Sequence, residues 1–305
     1  IKVGNERVVD ARLSDAEFFW NKDKSQNLVK KVSELKSMNF FKGLGSYFDK
    51  VQRMRKIGGM ISDELLISKE KVELSASISK TDLTSDLVGE FPELQGVMGG
   101  YFSEHQGFDK DISLALSEQY LPIGLNSMVP KKPFSIALSI TDKIDTLVGF
   151  FGINEKPTSS KDPFALRRIA LGIIRTTIEN KKNLKIYDLM NYSSRLFEDQ
   201  GYNLHNKDSQ KELHDFLKER FRYFLKEEEI RYDIIEATLS SFSLNKLFSS
   251  FKKAKCLNKV INTQIGMDIN SSYKRASNIL DHEMKNNEIE INDTTDPGIF
   301  KSELK

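Results

Sequence analysis

Most apolar residues of this 305-residue chain recur at the three- and four-residue spacing of one helix face. Leu44, Phe48 and Val51 begin such a pattern, and it continues as far as Leu65. This spacing predicts an amphipathic helix whose apolar side faces a core. Similar patterns predict helices over 14–36, 69–89, 92–104, 109–121, 132–151, 185–199, 209–227, 230–240, 243–256 and 268–285. We therefore predict an all-α fold.

Two local patterns refine this picture. Residues 3–12 alternate between apolar and polar, which predicts a short β-strand. In the helix that begins near Leu44, Lys50, Arg53 and Lys56 occupy the face opposite the apolar residues. We expect that face to be exposed. The pair Gly58-Gly59 predicts a kink or a close helix contact, because glycine is costly inside a helix.

Turn-forming residues cluster at 152–161 and indicate a linker. After it, Asp162 is expected to cap a new helix that has Pro163 in its first turn. The polar, acidic stretch after residue 285 has little to bury, which predicts a loop or a disordered connection. The predicted organisation is two helical domains, 1–153 and 156–285, and a tail at 286–305.

Charge is unevenly distributed along the chain. The whole sequence has a net charge of +2, but residues 156–285 contain 24 Lys and Arg against 17 Asp and Glu, a local net charge of +7. Such a block suits contacts with nucleic-acid phosphates, although a solvated basic face explains it equally well. The candidate RNA-binding side chains are Lys161, Arg167, Arg168, Arg175, Lys252, Lys253, Lys274 and Arg275.

Other function classes find little support. No apolar run approaches the roughly 18 residues of a membrane span, so we expect no membrane partner. Cys256 is the one cysteine, so no intramolecular disulfide can form, and a reducing cytoplasm is the simple inference. The four histidines are scattered, and no glycine-rich phosphate loop occurs. We predict no catalytic residue, no metal site and no cofactor in this chain.

Two acidic pairs have helical spacing. They are Asp82 with Asp86, and Asp142 with Asp145. Paired carboxylates on one helix face can act in catalysis, but carboxylates near a helix start or a lysine are more often caps or solvated ion pairs. We expect the latter role.

Several long strings, in a fixed order, resemble the β subunit of bacterial heterotetrameric glycyl-tRNA synthetase. Together they span nearly the whole chain, which makes the resemblance far more specific than a short motif. The strings are ARLSDAEFF at 11–19, KTDL at 80–83, VGEFPELQGVMG at 88–99, DKIDTLVGFF at 142–151, PTSSKDPFALRR at 157–168 and KRASNIL at 274–280.

The resemblance implies a cytoplasmic enzyme subunit that binds tRNA(Gly), while an α subunit performs the glycine and ATP chemistry with Mg. It implies no DNA partner. In that family an anticodon-binding domain follows the helix that contains 274–280, so we expect most of that domain to be missing here. The fragment alone is expected to be inactive.

The first half also resembles a degenerate HD-type domain, a helical fold of metal-dependent phosphohydrolases. Lys50 stands near the position of the first His, Lys80 and Asp82 stand where the His-Asp pair would be, and Asp142 matches the distal Asp. The histidines that bind metal are absent, and lysine repels a divalent cation. Two alternatives stay open: a divergent phosphohydrolase that uses Asp82 and Asp142, and a pure subunit-assembly module.

Overall fold

A computed structural model describes residues 2–124 and 126–286. Within these residues the chain is almost entirely helical, and the all-α prediction is confirmed. A small antiparallel hairpin joins β1 (Asn39–Phe41) to β2 (Gly45–Ser46). The helices are α1 (Lys2–Asp23), α2 (Leu28–Lys31), α3 (Tyr47–Leu65), α4 (Lys69–Ile78), α5 (Asp86–Glu90), α6 (Val97–His105), α7 (Lys110–Glu118), α8 (Pro133–Gly152), α9 (Leu166–Glu179), α10 (Ile186–Asp199), α11 (Ser209–Glu227), α12 (Tyr232–Ser240), α13 (Leu247–Val260) and α14 (Gln264–Asn286).

Helix α8 is the centre of the fold. It begins with Pro133, whose missing N–H has no helical partner to lose at this position. Every residue from Ser135 to Gly152 is buried, because α3, α4, α7, α9, α10 and α11 all pack around the helix. A helix enclosed on all sides cannot place a charged residue in water. Its charged side chains must therefore find partners inside the protein.

Helix α3 packs beside α8. The Ser46 hydroxyl accepts the Asp49 N–H, and the Asp49 carboxylate accepts the Ser46 N–H, so the two residues form a capping box. A Cβ on Gly58 would lie 2.8 Å from Cγ1 of Val72 on α4. The close helix contact that we predict at Gly58 is thus present, and it lies between α3 and α4.

The predicted strand at 3–12 is wrong, because these residues belong to α1. All of the residues from 3 to 12 are exposed, so their alternation does not separate a buried face from a solvated one. A helix satisfies its own backbone groups, whereas a strand needs a neighbouring strand. Further along α1, the Trp20 ring stacks on Phe102 with centroids 5.4 Å apart and attaches the helix to the core.

Three of the predicted helices, over 14–36, 69–89 and 92–104, are interrupted. The pattern over 69–89 divides into α4, a 3-10 turn (Thr81–Thr84) and α5. Hydroxyl groups compete for the backbone here: Ser79 donates to the Ala76 carbonyl, and Ser85 accepts the Val88 N–H and caps α5. The pattern over 14–36 is divided in the same way, because the side chain of Asn27 caps α2.

The helix after the predicted linker begins at Leu166, three residues later than expected. Asp162 nevertheless acts as its cap, because its carboxylate accepts the backbone N–H groups of Leu166 at 2.8 Å and Arg167 at 3.0 Å. The prediction of Pro163 in the first turn is wrong, because Pro163 lies in the preceding turn.

Contacts group the chain into two compact units, Ile1–Ala254 and Lys255–Lys305. The predicted domains 1–153 and 156–285 stay a prediction; helices from both sides of that boundary pack on α8 in the first unit. In the second unit, α14 reaches Asn286, and the rest of the predicted tail lies outside the described residues. Among the described residues, no helix has both the length and the apolar content that crossing a membrane requires.

Candidate functional site

Charged side chains from α3 and α8 meet inside the protein. Lys50 and Arg53 are one helical turn apart on α3, and Asp142 and Asp145 have the same spacing on α8. Where the two helices pack, these turns face each other. Two further lysines complete what we call the buried charge cluster: Lys50, Arg53, Lys80, Asp142, Lys143 and Asp145.

Arg53 and Asp145 form a fully buried, two-point ion pair. Nε of Arg53 lies 2.6 Å from Oδ1 of Asp145, and Nη2 lies 3.1 Å from Oδ2. The guanidinium also donates to Gln200 at 2.7 Å and lies 3.7 Å from the centre of the Phe197 ring. Lys50 Nζ adds contacts to Asp145 at 3.1 Å and to the Thr146 hydroxyl at 2.8 Å. The pair is thus closely enclosed.

Asp142 is surrounded by cations. Its Oδ1 lies 3.1 Å from Lys50 Nζ and 3.2 Å from Lys80 Nζ. Burial alone would raise the pKa of the Asp142 carboxyl, but the charges of Lys50, Lys80 and Lys143 outweigh it and hold the pKa well below its ordinary value. Asp142 therefore stays ionised, and proton donation is not its role.

Lys143 is a lysine of the cluster whose buried positive charge is not fully balanced by nearby negative charge. Its Nζ donates to the Leu121 carbonyl at 2.7 Å and to the Ser139 hydroxyl at 2.8 Å. Burial lowers the pKa of the ammonium group from 10.5 to about 7, because the attraction of Asp142 does not offset desolvation and the repulsion from Lys80. Lys143 therefore titrates near neutral pH.

Asp82 lies apart from these contacts. Its carboxylate is fully buried and accepts the backbone N–H of Gly96. Burial raises the pKa of Asp82 above its ordinary value, although the Gly96 N–H and the Lys80 charge oppose the shift. The structure thus brings together Lys50, Lys80 and Asp142 of the four predicted HD positions. The fourth, Asp82, is directed to the loop before α6.

Two sequence expectations change as a result. Lys50 and Arg53 were expected on an exposed face, but they are 2% and 0% exposed; Lys56 is exposed as expected. Asp142 and Asp145 are buried, so a solvated role is wrong for them. The physical reason is that α8 packs against the part of α3 that carries Lys50 and Arg53 but leaves Lys56 in solvent. Of the other acidic pair, Asp86 is a partly exposed ion-pair partner of Lys22.

A cavity of about 750 Å³ opens beside the cluster. Lys50, Lys80, Lys143 and Asp142 line its inner wall. We call it the lysine cavity. Aromatic side chains form much of the remaining wall; they are Phe40, Tyr47, Tyr120 and Phe164. Sequence reasoning missed Lys143 and Tyr120, and the signal for Lys143 was its position between two acidic residues on an otherwise apolar helix.

A second concave site, of about 560 Å³, lies between α9, α11 and the chain around residues 122–126. It brings together three predicted RNA-binding residues, Arg167, Arg168 and Arg175, and adds Arg220 from α11. We call it the arginine cleft. Sequence reasoning missed Arg220, because its position on an amphipathic helix resembles that of any exposed basic residue.

The four arginines of the cleft have different partners. Arg175 donates to the carbonyls of Gly124 at 3.0 Å and Ser127 at 2.9 Å, so it anchors a loop. Arg167 donates to the carbonyl of Thr158, in the predicted linker. Arg168 is exposed and has no hydrogen bond or ion pair among the described residues. Nε of Arg220 is likewise without a hydrogen-bond partner in the described part of the chain.

The other RNA-binding candidates lie outside the cleft. Lys161 is exposed in the loop before α9, and Lys252 and Lys253 are exposed on α13. Lys274 and Arg275 are exposed on α14, in the second unit. Their role in RNA binding stays a prediction, as does that of the arginines.

Histidine and acidic side chains do not assemble elsewhere. His105, His205 and His282 are exposed, and His214 is partly exposed. In the ranges 2–124 and 126–286, no group of three or more His, Cys, Asp or Glu is arranged to hold a metal ion.

Comparison with known proteins identifies the family. Residues 1–240 match the family described as glycyl-tRNA synthetase beta subunit. The glycine–tRNA ligase beta subunit of Rickettsia canadensis is 40% identical over 280 residues, which are 91% of this chain and 40% of that protein. Those of Phenylobacterium zucineum and Pseudoalteromonas atlantica are 37% and 36% identical, and they cover 93% and 98% of this chain.

This chain belongs to the glycyl-tRNA synthetase β-subunit family, so the resemblance described above is confirmed. It spans less than half the length of these relatives, with 40% of the Phenylobacterium protein and 42% of the Pseudoalteromonas protein matched.

Proposed function

We propose that this chain is a tRNA-handling part of the β subunit of a cytoplasmic glycine–tRNA ligase. In this proposal it binds tRNA(Gly) and assembles with an α subunit that uses glycine, ATP and Mg. Family membership and the names of the relatives support the role in the ligase. The arginine cleft is the observation that supports RNA contact by this part of the subunit.

The cleft suits a phosphate backbone for two reasons. Arg168 is exposed and has no polar partner among the described residues, and a guanidinium can present two N–H groups to one phosphate. Arg220 lines the same cleft and adds a second positive charge, while its Nε is buried. Tyr223, on the same wall, is 37% exposed and offers a ring surface to a ribose or a base. Arg175 has a different role in this proposal, because its guanidinium is already used to hold the loop.

The contribution of the chain to catalysis is positional. Phosphate contacts fix the orientation of a bound nucleic acid without reading its sequence. Holding the tRNA body in one orientation makes the encounter of its acceptor end with the partner's active site effectively intramolecular. The proposal requires no nucleophile, base or metal from this chain.

We also propose that residues 1–153 are a degenerate HD-like domain and that 156–285 form a second helical domain which leads toward an anticodon-binding module. The cluster geometry supports loss of HD chemistry. A divalent cation at Asp142 would lie beside three lysines, two of which already contact that carboxylate at 3.1 and 3.2 Å. Such a donor set does not fit a metal ion, so the phosphohydrolase alternative is disfavoured.

The salt dependence of tRNA binding distinguishes this proposal from the alternative of a pure assembly module. We expect the assembled synthetase, with full-length β subunit, to bind tRNA(Gly) more weakly as salt rises, because phosphate contacts release counterions. The variant Arg168→Ala with Arg220→Ala should bind about tenfold more weakly, and the slope of log K against log salt should fall by about one to two.

Lys56→Ala is the matched control, because it removes an exposed basic residue that lies outside the cleft. It should leave both the affinity and the slope unchanged. Equal affinities for the double variant and the control would favour the assembly role and contradict RNA binding by the arginine cleft.

A further inference from the structure

Apart from Arg168, which also lines the arginine cleft, the residues of the lysine cavity have no role in the tRNA-binding proposal. Its inner wall is the buried charge cluster, and its outer wall reaches the surface, where Ile123 is 60% exposed and Val97 is 39% exposed. Arg168 and Glu93 lie on the outer wall and are also exposed. The volume of about 750 Å³ is within the range of small-molecule sites. The cavity therefore extends from exposed residues at its mouth to the buried lysines on its inner wall.

The inner wall has an excess of positive charge. The buried charge cluster contains four cations, Lys50, Arg53, Lys80 and Lys143, against the two carboxylates of Asp142 and Asp145. Arg53 and Asp145 neutralise each other through their two-point pair. When Lys143 is protonated, one positive charge remains without a counterpart even if Asp82 is ionised; because the pKa of Lys143 is about 7, a bound anion would favour that protonated state. Buried charge without a counterpart is costly, and an anion in the cavity would relieve that cost.

The lysines differ in how fully their donors are used. Lys50 contacts Asp142, Asp145 and Thr146, and Lys143 donates to a carbonyl and a hydroxyl. Lys80 has one polar contact among the described residues, its ion pair with Asp142, and its Nζ lies 4.0 Å from the centre of the Tyr120 ring. Lys80 is therefore the inner cation with donors free for a ligand.

We propose that the lysine cavity binds a phosphate monoester, with the phosphate group held by Lys80 from the inner wall and by Arg168 from the mouth. A dianionic phosphate matches the charge excess and accepts several hydrogen bonds. The cavity is larger than a phosphate group, and the rings of Phe40, Tyr47 and Phe164 along its wall suit an attached base or ribose. The ligand is either a free nucleotide or the phosphorylated end of a nucleic acid.

The test measures binding of AMP and of inorganic phosphate to the full-length β subunit by calorimetry, at constant ionic strength set with chloride. Lys80→Met keeps the length of the side chain and removes the charge, and it should weaken AMP binding about tenfold or more. Arg168→Ala should also weaken it. Because Arg168 is exposed, this second variant tests the site even if Lys80→Met fails to fold.

Arg220→Ala reports on AMP bound in the arginine cleft instead of the lysine cavity. Lys56→Ala is the matched control, because Lys56 is exposed and lines neither site. Its AMP affinity should equal that of the unchanged protein. The inference is overturned if AMP and phosphate do not bind, or if Arg220→Ala removes binding while Lys80→Met and Arg168→Ala do not.

A competition experiment distinguishes the two possible ligands, a free nucleotide and the phosphorylated end of a nucleic acid. An RNA hairpin with a 5′-phosphate is compared with the same hairpin with a 5′-hydroxyl as a competitor of AMP. Stronger competition by the phosphorylated hairpin supports the cavity as a site for a nucleic-acid end. Equal, weak competition supports a site for a free nucleotide.

Discussion

The buried charge cluster and the arginine cleft are both rich in Lys and Arg, but they differ in what surrounds the charges. In the cluster, carboxylates, carbonyls and aromatic rings enclose each cation. In the cleft, Arg168 is exposed without a polar partner, and Nε of Arg220 is buried without one among the described residues. The comparison teaches that position within the fold decides the role of a basic residue. Substitutions in the cluster should therefore change stability most, whereas Arg168 and Arg220 in the cleft should contribute to tRNA binding.

The largest expected effect is on the stability of the cluster. Asp145→Ala leaves the buried Arg53 without its carboxylate partner and removes one of the two carboxylates that contact Lys50. The free energy of unfolding should therefore fall by about 3–5 kcal/mol. Urea unfolding followed by circular dichroism measures it. A loss below about 1 kcal/mol, the value typical of an exposed ion pair, would show that the pair is not buried in solution.

The next effect depends on pH. The folded-state pKa of Lys143, about 7, is below its ordinary value of 10.5, so the unfolded chain binds an extra proton between these values. The free energy of unfolding therefore rises with pH between the two pKa values. Below about pH 7 the folded protein bears the full cost of burying the charged Lys143. Lys143→Met should be more stable than the unchanged protein at pH 6 by about 2–4 kcal/mol, and the difference should shrink toward pH 10.

Urea unfolding at several pH values, read as the difference between the variant and the unchanged protein, isolates this residue from other groups. Lys56→Met is the control, because Lys56 is exposed. A difference that does not depend on pH would contradict the low pKa of Lys143.

A smaller change in stability should distinguish Arg175 from the other arginines of the cleft. Arg175→Ala removes two hydrogen bonds to the loop carbonyls of Gly124 and Ser127 and should lower the free energy of unfolding by about 1–2 kcal/mol. Increased proteolysis or hydrogen exchange near residues 122–127 should accompany it. An unchanged loop would contradict the anchoring role.

The smallest stability effect is expected for Arg168→Ala, because an exposed side chain without partners contributes within about 0.5 kcal/mol. Thermal unfolding measures it. A loss as large as that of Arg175→Ala would place Arg168 with the structural residues and weaken its assignment to RNA binding.

Periodic sequence patterns predicted the helices well, because burial of one helix face is a local property. They failed where side chains compete with the backbone, as at Ser79 and Ser85, and where alternation had no neighbouring strand, as over 3–12. The cluster was harder to predict. Lys50 and Arg53 have the spacing of an exposed face, and their burial depends on α8, some 90 residues away in the sequence.

The candidate cleft was predicted in part. Arg167, Arg168 and Arg175 belong to one basic segment, so sequence alone placed them together. It did not reveal that Arg175 is bound to a loop, nor that Arg220 joins from another helix, because both facts follow from tertiary packing. Composition records how many charges a segment has, and only the fold determines which of them keep free donors.

Aminoacylation kinetics of the assembled synthetase test the proposed division of roles most directly. With Arg168→Ala and Arg220→Ala in the full-length β subunit, we predict that KM for tRNA(Gly) rises about tenfold while KM for glycine and for ATP is unchanged, because the proposal places the glycine and ATP sites on the α subunit. An unchanged KM for tRNA(Gly), or equal changes for all three substrates, would contradict a tRNA-binding role of the arginine cleft.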